Sequence, residues 1–182
     1  MILTTGRLCL REFEDRDWER VIAYQSNPLY LRYYHWTKRS EADVQAFVQM
    51  FLDAQQERPR RTFQLAVTLR HSGLLIGNCG IRINNPSLRE ANIGYELDNE
   101  YWGNGYATEA ARAILEFGFQ ELRLRRVWAN TLAVNKGSAR VLEKLGMRLE
   151  CREIEKEFIK DRWYDSLTYA ILDREWDIEG ND

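Results

Sequence analysis

The chain has 182 residues, with 26 Lys plus Arg against 28 Asp plus Glu, a formal net charge of −2 and 45% apolar residues. This length and balance fit one globular domain with room for a sizeable core, and they argue against a nucleic-acid binder driven by phosphate neutralisation. No run of about 18 apolar residues marks a membrane span, so neither nucleic acid nor membrane is an expected partner.

Arg7 to Glu12 alternates Leu8 and Leu10 with charged residues, which predicts a strand. Asp15 to Gln25 sets Trp18, Val21 and Ile22 at helical spacing, and Asn27-Pro28 is expected to end that helix. Leu29 to Thr37 is rich in aromatics: Tyr30, Tyr33, Tyr34 and Trp36. Ser40 to Asp43 reads as a capping box. The helix it opens carries Val44, Phe47, Val48, Phe51 and Leu52 on one face. Thr62 to Leu69 and Leu74 to Asn84 predict a hairpin around His71-Ser72-Gly73, and Ala91 to Leu97 a further strand. The glycine-rich stretch Tyr101 to Ala107 leads into a helix reaching Glu121, with Ala111, Ile114, Leu115, Gly118, Phe119 and Leu122 on one face. Arg126 to Leu132 is a strand, and Asn135 to Leu145 is a helix stopped by Gly146. Met147 to Phe158 and Trp163 to Leu172 flank a turn at Lys160-Asp161-Arg162. The apolar phase slips between Cys151 and Ile154, which predicts a bulge. The order β-α-α-β-β-β-α-β-α-β-β gives an α/β (α+β) fold, one domain over residues 1–182 with its core in roughly 5–175, and a mixed central sheet of about seven strands flanked by about four helices.

Several chemistries have no visible equipment. His35 and His71 stand apart, and neither HExxH nor CxxC occurs, so no metal is expected. GxSxG and GxxxxGK[ST] are absent, which disfavours serine hydrolysis and P-loop phosphoryl transfer. Cys9, Cys79 and Cys151 are odd in number and widely spaced, as free thiols in a reducing cytoplasm are. Met1 to Arg11 lacks the apolar core of a signal peptide. The expected location is therefore cytoplasmic, and the chemistry must fall to backbone amides and a few polar side chains.

Two segments offer those groups. In Tyr101-Trp102-Gly103-Asn104-Gly105-Tyr106-Ala107-Thr108-Glu109-Ala110, the glycines let the backbone turn tightly and approach a ligand. The first amides of the helix lack intrahelical acceptors and favour an anion such as a diphosphate. The pattern is not a Rossmann fingerprint, since the third Gly is missing. In Asn135-Lys136-Gly137-Ser138, Asn135 is placed as an N-cap near the Ser138 amide. Ser138, Val141, Leu142 and Leu145 share a face, which turns Ser138 inward. Lys136, Arg140 and Lys144 form a basic stripe open to phosphates or to solvent.

Together these segments resemble the GNAT superfamily of N-acetyltransferases, and within it the branch of ribosomal-protein-alanine N-acetyltransferases. The matching text is Gly94-Tyr95-Glu96-Leu97, Tyr101 to Ala110, and Asn135 with Ser138 before Val141-Leu142-Glu143-Lys144-Leu145-Gly146. Thr5-Gly6-Arg7-Leu8-Cys9-Leu10-Arg11 and Asn27-Pro28 are similar to that branch too. The resemblance implies acetyl-CoA as co-substrate, with the diphosphate wrapped by Trp102, Gly103, Asn104, Gly105, Tyr106, Ala107 and Thr108. It implies that the strand ending at Leu97 bonds the pantetheine arm and splays from its neighbour, and that Asn135 and Ser138 touch the cofactor. A homodimer is a further implication of the family. Where many members have a thiolate-protonating Tyr, this chain has Leu142; where some have a catalytic strand Glu, it has Asn130.

The implied reaction is attack of a neutral amine on a thioester. An α-amino group has a pKa of about 7.7–8.0 and a lysine amine one near 10.4, so lysine needs roughly 3–4 kcal/mol more to lose its proton at pH 7. A chain with no obvious strong base therefore suits an N-terminal α-amino acceptor on a protein or peptide. The alternatives are a small amine (polyamine, amino acid or antibiotic), drawn by Glu90, Glu96, Asp98 and Glu100, or a catalytically silent CoA-binding module. Glu96 is the candidate base, by way of a pKa raised on burial. Ser138 is the candidate partner of the departing sulfur, and Asn130 completes the catalytic set. Tyr33, Tyr34, Trp36 and Trp163 are the candidate acceptor wall.

Overall fold

The computed structural model describes residues 1–176. Eight strands form one sheet: β1 (Ile2–Thr4), β2 (Leu8–Glu12), β3 (Thr62–Leu69), β4 (Leu75–Asn85), β5 (Glu90–Leu97), β6 (Arg126–Leu132), β7 (Arg148–Ile159) and β8 (Arg162–Leu172). Their order across the sheet is β1-β2-β3-β4-β5-β6-β8-β7. Among the described residues, five α-helices accompany them: α1 (Trp18–Gln25), α2 (Pro28–Leu31), α3 (Glu41–Gln56), α4 (Tyr106–Gln120) and α5 (Lys136–Lys144).

Strand alternation divides the apolar residues into two layers. On β3, Leu65 and Val67 join the cluster under α4 and α5, with Ile81, Ile114, Leu115 and Leu142. Ala66, between them, joins the cluster under α1 to α3, with Val21, Tyr24, Val44 and Phe51. Each helix thus buries its periodic face on one side of the sheet. The capping box forms as expected: Ser40 Oγ accepts the Asp43 N–H at 3.2 Å, and Asp43 Oδ2 accepts the Ser40 N–H at 2.8 Å.

Two elements exceed the sequence reading. β1 pairs antiparallel with β2 at the sheet edge, and three residues are too few for alternation to announce. Asn27-Pro28 does close α1, but it also opens α2. The Asn27 side chain accepts the Leu29 N–H at 2.9 Å, and Pro28 fills the first helical position. The slipped phase of β7 appears as register shifts between Leu149 and Cys151 and between Glu153 and Glu157. The β7–β8 turn uses left-handed φ at Lys160 (49°) and Asp161 (61°), the conformation that suits a two-residue hairpin.

One departure from regularity positions everything that follows. β5 and β6 are the parallel pair, joined across α4, and their ladder covers only Glu90–Arg126, Ala91–Val127 and Asn92–Trp128. Past Asn92, β5 stays paired with β4 through Leu97, and β6 stays paired with β8 through Leu132. The strands part, leaving a V-shaped gap with unpaired backbone groups along both arms. No helix among the described residues is long and apolar enough to cross a membrane.

Candidate active site

The gap forms the floor of a cleft of about 860 Å³. One wall is the segment from Leu29 to Trp36, and the other is the start of α4 and α5. Two contacts fasten the first wall. The Tyr33 hydroxyl reaches across to the Val134 carbonyl at 3.4 Å, and Lys160 Nζ donates to the Leu31 carbonyl at 2.8 Å.

At one end stands the glycine-rich turn. Gly103 (φ 79°) and Gly105 (φ 81°) hold left-handed backbone, and a Cβ on Gly103 would meet nothing within 4 Å. The first helical bond of α4 runs from the Glu109 N–H to the Gly105 carbonyl at 3.0 Å. The amides of Tyr106, Ala107 and Thr108 therefore have no intrahelical acceptor, and these residues line the cleft. Trp102 lines it as well, its indole N–H donating to the Leu97 carbonyl at 2.9 Å. Asn104 does not. Its side chain turns back onto the carbonyls of Trp102 (3.0 Å) and Tyr101 (3.3 Å), so it shapes the turn.

A carboxylate near these amides would repel an anion. Glu109, one turn into α4, is drawn aside by Thr5 Oγ1 (2.6 Å), the Arg7 N–H (2.8 Å) and Arg7 Nε (2.7 Å). Arg7 also lies over the Tyr106 ring at 4.5 Å and donates to the Asn104 carbonyl at 3.0 Å. Burial would raise the Glu109 pKa, but these donors outweigh it and hold the carboxyl below its usual range.

At the α5 side, Asn135 Oδ1 accepts the Ser138 N–H at 3.2 Å, the expected cap. Ser138 is half-buried at the cleft, not turned into the core; the buried positions are Ala139 and Leu142. Its partner is Tyr95 of β5, whose hydroxyl lies 3.0 Å from the Ser138 carbonyl and 3.1 Å from its Oγ. Lys136, Arg140 and Lys144 line this side. Asn130 also lines the cleft, with Oδ1 accepting from Thr168 Oγ1 at 2.9 Å.

At the other end lies Glu96. Five donors converge on its carboxylate. Oε1 accepts from Asn78 Nδ2 (2.6 Å), the Tyr24 hydroxyl (2.8 Å) and Gln25 Nε2 (2.9 Å). Oε2 accepts from the hydroxyls of Tyr30 (2.5 Å) and Tyr34 (3.3 Å). Burial first, then the Glu96 charge, raises the pKa of all three tyrosines above the ordinary value, which keeps them neutral donors. Glu96, the candidate base, therefore meets the cleft with its carboxylate lone pairs engaged by these five donors. Tyr30, Tyr34 and Trp36 stack above it, with ring centroids 4.7 and 4.9 Å apart.

Other expected residues go elsewhere. Trp163 does not line the cleft; it packs on Phe158 at 4.9 Å on the exposed face of the last hairpin. Glu90 pairs with Arg126 at 3.4 Å and Asp98 with Arg20 at 2.6 Å, so neither is free to attract an amine. The sequence reading missed Tyr24, Gln25, Asn78 and Tyr95. Tyr95 carried a signal, because alternation sets it on the face opposite Glu96. Gln25 and Asn78, polar and buried, carried none.

These residues fit an elongated, multiply anionic thioester donor: open amides and three cations at one end, unpaired strand edges along the middle, and hydroxyls where the gap opens. The comparisons agree. The acetyltransferase (GNAT) domain family matches residues 7–148. The uncharacterized N-acetyltransferase YnaD of Bacillus subtilis (strain 168) is 36% identical over 178 residues, 97% of this chain and 99% of that protein. Two solved structures share the fold. Ribosomal-protein-S5-alanine acetyltransferase from Vibrio fischeri has a TM-score of 0.81 at 22% identity, covering 97% of this chain and 99% of that one. Spermidine N-acetyltransferase from Vibrio cholerae, in complex with CoA and spermine, has a TM-score of 0.80 at 20% identity, covering 94% and 99%. With the parted strands, the glycine turn and the family match in register, this chain belongs to the GNAT acetyltransferases and is an N-acetyltransferase with acetyl-CoA as donor.

Proposed function

We propose that the chain transfers the acetyl group to the N-terminal α-amino group of a peptide or protein. The observation that carries this reading is the V-shaped gap, with the open amides of α4 at one end and the engaged carboxylate of Glu96 at the other. Acetyl-CoA supplies the electrophilic thioester. Its diphosphate is held by the amides of Tyr106, Ala107 and Thr108 beyond Trp102, Gly103 and Gly105, with Lys136, Arg140 and Lys144 nearby. Its pantetheine arm runs along the edge of β5 at Leu97, beside Asn135. Ser138, oriented by Tyr95, faces the sulfur.

The acceptor enters between the Tyr33, Tyr34 and Trp36 wall and Glu96. Glu96 attracts the protonated amine. The amine must be neutral to attack, so it first gives one proton to water; the C–N bond then forms, the C–S bond breaks, and the second amine proton goes to the departing CoA thiolate, so an amine that deprotonates readily is the better substrate. An α-amino group meets that condition at neutral pH and a lysine side chain does not. Rate then comes from positioning and from backbone donors. The S5-alanine enzyme, which shares the fold, bears a name consistent with this reading.

Thiol release from acetyl-CoA tests the proposal. Peptides with a free N-terminus should be turned over at pH 7, and the same peptides with a blocked N-terminus should not. A carboxylate beneath stacked aromatic rings also favours a small polycation. Turnover of spermidine with none of any peptide would select that second reading and overturn the first.

A further inference from the structure

The face of the sheet behind Glu96 carries a chain of amide side chains whose direction is fixed by its ends. Arg82 Nη2 donates to Gln64 Oε1 at 2.6 Å, Gln64 Nε2 donates to Asn78 Oδ1 at 2.6 Å, and Asn78 Nδ2 donates to Glu96 Oε1 at 2.6 Å. An arginine can only donate and a carboxylate only accept, so a single orientation of both amides satisfies all three bonds. A second, shorter chain reaches the same carboxylate: Arg39 Nε donates to Gln25 Oε1 at 3.2 Å, and Gln25 Nε2 to Glu96 Oε1 at 2.9 Å.

The fold makes room for the longer chain. Gly80 and Gly94 are direct partners across β4 and β5. A Cβ on Gly80 would stand 2.4 Å from Gln64 Oε1, and one on Gly94 would stand 3.2 Å from Arg82 Nη1. The paired glycines form a trench in which the relay lies. Gln64 is 2% exposed, Asn78 3% and Gln25 0%, so water does not compete for these bonds. Burial lowers the Arg82 pKa, and the Glu96 charge acts against that loss. The Arg82 guanidinium donates to an amide oxygen and not to a carboxylate, so the two amides connect its charge to Glu96. Bonds in such a chain polarise one another, and the effect is larger away from water.

We propose that Arg82, Gln64 and Asn78, assisted by Arg39 and Gln25, are positioning residues. They hold Glu96 as a fixed anionic anchor for the incoming ammonium group, so that Glu96 fixes acceptor affinity and orientation. This rests on the acceptor placement proposed above. The groups facing Glu96 are Tyr24 and Gln25 from α1, Tyr30 from α2, Tyr34 from the loop after it, and Asn78 from β4, with Arg39 and Arg82 behind the amides.

The test uses Gln64→Met, which keeps side-chain length and removes both bonds, and Arg82→Lys against Arg82→Met, which separates charge from packing. Steady-state kinetics are measured with the best amine acceptor and with acetyl-CoA each varied in turn, and CoA binding is measured separately by calorimetry. Gln64→Met and Arg82→Met should raise the acceptor KM about five- to tenfold while kcat changes less than twofold. The KM for acetyl-CoA and the CoA affinity should stay unchanged, and Arg82→Lys should recover most of the loss. A folded Gln64→Met enzyme with wild-type acceptor KM would overturn the relay. So would a rise of both KM values together with weaker CoA binding, the sign of a merely structural role. An amine specificity other than the proposed one would show in the wild-type enzyme, before any variant is compared.

Discussion

The hydroxyl of Tyr95 sits 3.1 Å from Ser138 Oγ and 3.0 Å from the Ser138 carbonyl, joining β5 to the first turn of α5 across the mouth of the gap. One turn further along the helix stands Leu142, packed in the core with no hydroxyl to offer. Here a tyrosine hydroxyl arrives from the neighbouring strand. Burial raises the Tyr95 pKa above its ordinary value, so at neutral pH it stays protonated and can orient or support Ser138. Tyr95→Phe should lower kcat about fivefold and Ser138→Ala about tenfold, the double variant falling no further than Ser138→Ala, because a hydroxyl pair acting as one unit is non-additive. Unchanged kcat at saturating acetyl-CoA in Ser138→Ala would remove that residue from the chemistry.

Gly105 adopts φ 81° at the head of α4. An alanine there carries a left-handed penalty of about 1–2 kcal/mol. The strain falls on the turn that presents the Tyr106, Ala107 and Thr108 amides. Gly105→Ala should raise the acetyl-CoA KM about tenfold and leave the acceptor KM near wild type, as steady-state kinetics with each substrate varied would show.

Glu109 is held by Thr5 and Arg7, and its folded pKa lies below the usual carboxylate value. The tie therefore contributes stability at pH above the ordinary carboxylate range, and that contribution is lost as pH falls through the depressed folded value. Thr5→Ala should cost about 1 kcal/mol at pH 7, or ~3 °C in Tm, and the difference from wild type should shrink in strongly acid buffer. A difference that grows on acidification would contradict this.

Lys136, Arg140 and Lys144 line the cleft beside the glycine turn. Replacing all three by glutamine should weaken acetyl-CoA binding about tenfold in dilute buffer and flatten its dependence on salt, since exposed charges are screened over roughly 8–10 Å at physiological ionic strength. Titrations at low and high salt check both effects. Equal salt dependence in variant and wild type would return the stripe to an ordinary solvated face.

The sequence carried most of the fold because its signals were local. The box at Ser40, the cap at Asn135 and the two glycines before α4 each act within a few residues and appear where expected. The slipped phase of β7 likewise emerged as real irregularities. β1 and α2 were too short to show a period. The cofactor end of the candidate site was readable, because helix-end amides and glycine geometry are backbone properties. The acceptor end was not. Glu96 is built from donors lying 18 to 72 residues away in the chain, and Tyr24, Gln25 and Asn78 have no periodic signature that separates them from packing residues. Trp163 misled for a related reason: its hairpin was predicted correctly, but alternation alone does not say which residue near a turn faces a distant cleft.

The three-pair ladder between β5 and β6 has a mechanical consequence. Five strands on one side and three on the other meet at a short seam, two plates sharing one edge with α4 bridging them. An amide-bearing chain laid in the opening supplies the missing rungs and locks the plates together. Loading the enzyme should slow amide hydrogen exchange on both arms, at residues 93–97 and 129–132, far more than at the outer edges, and the same stiffening would fix the angle at which the opposite wall meets its second substrate.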